Sequence, residues 1–75
     1  MKLFLIKRLE TDYIGYDEYA GFVIAAERNG QARRMAIGQA ADEGSEAWVR
    51  ATCTQIGEAA PYDVPTIVLR DYRAG

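Results

Sequence analysis

Ten consecutive residues, DYIGYDEYAG from Asp12 to Gly21, gather three carboxylates, three phenols and two glycines. Paired carboxylates can act as general acid and base. Asp17 and Glu18 are adjacent, however, so on an extended backbone they point apart, and a chain of 75 residues has little volume for a substrate pocket. Calcium requires six or more oxygen ligands from a spaced loop. Asp12, Asp17 and Glu18 are too few for that. Nucleophilic chemistry fares no better: Ser45 is the only serine, Cys53 the only cysteine, and no histidine exists to activate either. A zinc site would have to be built from one thiolate and carboxylates alone, an uncommon ligand set. Neither GxGxxG nor GxxxxGK[ST] occurs, so no phosphate-cradling loop is expected. The expectation is no catalytic residue, no metal site and no cofactor. The protein is not expected to be an enzyme.

Binding is the chemistry that remains. Tyrosine offers a large contact area with few rotors to freeze, which enriches it at interfaces. Asp12, Tyr13, Tyr16, Asp17, Glu18 and Tyr19 are therefore the candidate partner-binding residues. The three tyrosines recur every third position, so one turn or a wide loop could bring them together. In the alternative reading, two of them cover the open end of a sheet and the acids keep the loop soluble.

The flanking segments must position this decapeptide. Leu3–Ile6 is a short apolar run bounded by charge, and Gly21–Ala26 is β-branched and aromatic at its centre. Both read as strands, with the decapeptide as a long antiparallel hairpin connection. Alternation places Leu3, Leu5 and Leu9 on one face of the first strand and Phe4 and Ile6 on the other. Apolar on both faces, that strand belongs inside the sheet. Gln31–Ala41 is rich in helix formers, with Asn29 as its N-cap and Gly38 as a point of close packing on the sheet. After a short turn at Ser45–Trp48 that sets Trp48 at the edge of the core, period-two alternation from Val49 marks a third strand, with Cys53 as a small buried residue. A loop with Pro61 and Pro65 leads to a fourth strand over Thr66–Leu69. The order ββαββ predicts an α+β fold in a single domain spanning residues 1–75, with one antiparallel four-stranded sheet carrying the main helix on one face.

Composition agrees with a folded chain, being 49% hydrophobic and 27% charged with five tyrosines and one tryptophan. Nine basic against eleven acidic residues leave a net charge of −2, which gives no general attraction to nucleic acid or to an anionic membrane. Arg28, Arg33 and Arg34 are the one candidate basic patch, and a solvated helix face accounts for them as well. The apolar run at the N-terminus is too short for a signal-peptide core or a bilayer span, so a cytoplasmic location is expected.

The segments MKLFLIKR, YDEYAGFVIAAE, TQIGEA and IVLRDYRAG, about half of the chain, resemble a set of small phage and prophage proteins. These begin with an MKLFLI-type strand, carry a YDEYxGFVxAAE-type segment and close on a VLxxYxAG-like tail. The resemblance is one of pattern, without a catalytic motif, and it transfers no functional residue. It implies a phage accessory protein working in the host cytoplasm. Its expected function is to bind and inhibit a host defence complex, as an anti-CRISPR protein does, by occupying a nucleic-acid channel or a subunit interface. The partner is then a host protein or ribonucleoprotein, without direct nucleic-acid contact and without a membrane. Two alternatives stand beside it. One is a homodimeric structural or regulatory module that pairs through its sheet edge. The other is a nucleic-acid binder using Arg28, Arg33 and Arg34.

Overall fold

The computed structural model describes residues 1–74; Gly75, the last residue of the tail motif, lies outside the described residues. The elements are β1 (Lys2–Lys7), β2 (Glu18–Ala26), α1 (Asn29–Gly38), α2 (Glu46–Arg50), β3 (Thr52–Glu58) and β4 (Thr66–Arg73). The four strands form one sheet in the order β3-β1-β2-β4, with every neighbouring pair antiparallel. The α+β fold is as the sequence predicts, and β1 lies inside the sheet because both of its faces are apolar.

Register sorts the side chains. Phe4 pairs with Ile24 and Ile6 with Phe22, so these four share the face toward the helices. Leu5 pairs with Val23 and Leu3 with Ala25 on the opposite face. Gly21 sits where β1 and β2 approach closely: a Cβ there would lie 3.0 Å from the Ile6 carbonyl oxygen. On the helix side, Ala32 and Ala36 are one turn apart on α1 and fully buried, so the helix backbone lies close to the strands. Trp48 completes the core, its ring 4.9 Å from that of Phe22.

Several local expectations are corrected. Val49 and Arg50 belong to α2, and β3 begins only at Thr52. Trp48 is wholly buried at the centre of the core rather than at its edge, because the single turn of α2 delivers it there. Asn29 does not cap α1: the N-cap position is Arg28, and the Gln31 side chain instead reaches back to accept the Glu27 N–H at 2.8 Å. Gly38 ends α1 in the open, with no atom within 4 Å of where its Cβ would stand, so close packing does not explain it. Cys53 faces the core beside Ile6 but is only half-buried, since β3 is an edge strand.

Candidate functional site

The connection between β1 and β2 is organised by a residue at the exit of β1. The Arg8 backbone N–H still pairs with the Ala20 carbonyl, while its side chain turns beneath the connection until the residue is only 8% exposed. Its guanidinium donates to Asp12 Oδ2 (3.4 Å), Glu18 Oε1 (2.9 Å), the Tyr19 carbonyl (3.2 Å) and the Tyr13 carbonyl (3.4 Å). Five fixed donors on a planar group suit this convergence of carboxylates and carbonyls, which an ammonium could not satisfy. Glu18 also accepts the Gly15 N–H at 3.1 Å. The Arg8 hydrogen bond, followed by that of Gly15, holds the Glu18 carboxyl below its usual range. Arg50, from α2, reaches the same Asp12 carboxylate at 3.4 Å.

The far end of the connection is tied to β4. Asp17 adopts a left-handed backbone (φ 60°), a conformation that aspartate tolerates better than most residues. Its N–H donates to the Arg73 carbonyl, and its carbonyl accepts the Asp42 N–H. The Tyr72 hydroxyl donates to Asp17 Oδ1 at 3.3 Å, and Arg73 Nη1 donates to the Ile14 carbonyl at 3.3 Å. Burial, reinforced by the negative charge of Asp17, pushes the Tyr72 phenol up. A fourth carboxylate, Glu43, accepts the Tyr19 N–H, the Ala41 N–H and, at 2.6 Å, the indole N–H of Trp48. The connection is thereby pinned to β2 through Arg8 and Gly15, to α2 through Asp12, and to β4 through Ile14 and Asp17.

This pinning divides the six candidate residues. Asp12 and Glu18 turn inward to Arg8. Tyr19 already belongs to β2 and packs on Phe22 and Tyr72, with ring centroids 4.9 and 4.8 Å away. Tyr13 and Tyr16 stand out at 89% and 73% exposure, with the exposed Asp17 beside them. Together with Ile14, Gly15 and Arg73 the two outer tyrosines line a shallow recess of about 140 Å³. The tip of the connection is thus aromatic, with backbone hydrogen bonds at Tyr13, Ile14, Gly15 and Asp17.

Two further features escape a reading of the sequence. Arg8 follows an apolar run and precedes Asp12 by four residues, a spacing that hints at a pair but not at burial. The second is a groove of about 410 Å³ on the open face of the sheet, its floor set by Leu5, Val23 and Leu69 and its wall by Leu9 and Ile14 of the connection. Alternation places Leu3, Leu5 and Leu9 on one strand face, but Leu9 lies beyond β1 on the connection and Leu3 does not line the groove.

Elsewhere the chemistry is structural. Arg33 donates to the carbonyls of Trp48, Val49 and Ala51, closing the C-terminal end of α2, whereas Arg28 and Arg34 are exposed. Burial pushes the Cys53 thiol up, with the Arg33 charge opposing. Among the described residues no three side chains of Cys, Asp and Glu are gathered as a metal ion would need, and no helix is long and apolar enough to cross a membrane. The chain matches no family model, no curated protein and no solved structure.

Proposed function

We propose that the chain is a binding protein rather than a catalyst, and that Tyr13 and Tyr16 are its contact residues. The observation that carries this reading is their exposure on a backbone already fixed by Arg8, Asp17 and β4. Docking two such rings removes large apolar area from water while freezing little additional chain, the condition under which a small surface binds tightly. Asp17, beside them, favours a basic partner surface. Asp12 and Glu18 turn inward to Arg8, and Asp12 also to Arg50, so their carboxylates face away from that surface.

The resemblance to phage proteins directs the proposal toward a host defence complex. The protein would inhibit a CRISPR effector by seating its tyrosine tip on the lysines and arginines that hold nucleic acid, or at a subunit interface. The test is target-DNA binding by purified CRISPR effectors in the presence of wild-type protein and of the Tyr13→Ala/Tyr16→Ala variant. Inhibition by wild type that is lost in the variant supports both parts. Equal inhibition by the two removes the tip from the mechanism, and inactivity against every effector removes the defence target.

A further inference from the structure

The open face of the sheet carries a pattern independent of the tyrosine tip. Antiparallel sheets with one face toward water ordinarily present polar residues there. Here register aligns two rows across three strands. Leu5 pairs with Val23, which pairs with Leu69; Lys7 pairs with Gly21, which pairs with Asp71. The first row is apolar across these three strands, reaching a polar residue only at Thr54 on β3, and Leu69 is 62% exposed beside the groove. The second has a cation at one end, an anion at the other and no side chain between. Lys7 and Asp71 are two strand spacings apart, ~10 Å, and neither makes an ion pair among the described residues.

We propose that this face is a self-association surface and that its occupant is a second copy of the chain. A two-fold axis running along β2, in the plane between two stacked sheets, exchanges the β1 side of one copy with the β4 side of the other. Leu5 then meets Leu69 of the second copy, Val23 meets its counterpart, and Lys7 meets Asp71. Both contacts recur by symmetry. The axis keeps the strands of the two sheets aligned, as face-packed sheets prefer. Leu69 of each copy enters the groove of the other, between Leu5, Leu9 and Ile14. Gly21 opposite Gly21 leaves room for the charged pairs on either side. A partner of different sequence would not require that one face hold both the projecting leucine and its receptacle, or both signs of charge. The footprint covers three short strands, so the dimer is a weak one, with a dissociation constant of roughly 10⁻⁵–10⁻⁴ M.

Sedimentation equilibrium from well below to well above that range tests the proposal. Wild type should rise from the mass of one chain toward that of two. Leu69→Glu should weaken association by about 100-fold by setting a carboxylate in the apolar groove. Lys7→Glu and Asp71→Lys should each lose about tenfold or more alone, because each sets like charges opposite one another twice. An equimolar mixture of these two variants should recover the wild-type affinity, since each then meets its complement. All three sites are exposed, and unchanged Trp48 emission would confirm folding. Dilution of unmodified wild type, followed by amide chemical shifts, supplies a measurement without substitution: the shifts should centre on Leu5, Gly21, Val23 and Leu69. A wild type that stays monomeric, a Leu69→Glu variant that associates like wild type, a mixture no better than its components, or assembly beyond two copies each overturns the proposal. None of these results bears on the tyrosine tip, so the two readings fail separately.

Discussion

Replacing Arg8 with methionine tests whether the connection is held from below. The substitution keeps most of the side-chain volume and removes every donor. It takes away the guanidinium that two carboxylates and two carbonyls share, leaving Asp12 with Arg50 and Glu18 with the Gly15 N–H. Removing one partner of a buried ion pair costs about 3–5 kcal/mol. The lower end applies, because the side chains of Asp12 and Glu18 retain 13% and 21% of their exposure and can recover some water. A loss of about 3 kcal/mol is a large share of the roughly 4–11 kcal/mol expected for a chain of this length. At about 0.16 kcal/mol per degree for the whole chain, it lowers the melting temperature by roughly 15–20 °C. Urea unfolding followed by the fluorescence of the wholly buried Trp48 measures it directly. Arg8→Lys should restore only part of the loss, since one ammonium cannot reach four divergent acceptors. A loss below about 1 kcal/mol, the value of an exposed pair, would refute the reasoning. The connection would then be held by β4 alone.

Three other outcomes follow from the same geometry. The Glu18 carboxyl is held below its usual range by Arg8, so its contribution is present above the unfolded-state pKa of about 4.3 and is lost as pH falls through the lower folded value; Glu18→Gln should lower the urea midpoint at pH 7, with the difference from wild type shrinking in acid. Glu43→Ala leaves the Trp48 indole N–H without its acceptor and should cost about 1–3 kcal/mol together with a shift in tryptophan emission, whereas a variant with wild-type stability would show that water replaces the carboxylate. The half-buried Cys53, its thiol pushed up by desolvation, should alkylate in the native protein more slowly than a free thiol but without global unfolding; protection that ends only at the unfolding midpoint would place it deeper than its edge strand allows.

The strands are legible in the sequence because alternation has a physical meaning that survives any tertiary context. Leu3, Phe4, Leu5 and Ile6 can satisfy both faces of β1 only if β1 is interior, and it is. The boundary at Val49 was hidden for the converse reason. Val49, Ala51 and Cys53 alternate like a strand, and a five-residue helix is too short to display a period of its own. The roles of the tyrosines were hidden by where β2 starts. With β2 beginning at Glu18 rather than Gly21, Tyr19 is a strand residue facing the core while Tyr13 and Tyr16 remain outside. Even spacing along the chain thus concealed two different environments. The acids misled more deeply. Carboxylates in a hydrophilic loop read as surface charge, and only the return of the chain over β1 brings Asp12 and Glu18 onto Arg8.

A buried arginine is an expensive device for so small a core, and apolar residues of similar volume in place of such an ion network are often as stable or more so. Its use here follows from what the connection must do. A segment of this length cannot pair its own carbonyls while it bends, and polar backbone packed against the sheet needs donors. The guanidinium supplies them to Tyr13 and Tyr19 and pairs with Asp12 and Glu18, while Arg50 brings the second positive charge to Asp12. An apolar substitute would leave the Tyr13 and Tyr19 carbonyls unmet. Arg8 lines the groove together with Leu9 and Ile14, and it holds the Tyr13 carbonyl next to the exposed tyrosine tip. One side chain therefore touches both exposed surfaces. Arg8→Met should accordingly disturb the tyrosine tip and the self-association face together, whereas Leu69→Glu and Tyr13→Ala/Tyr16→Ala should each disturb one alone.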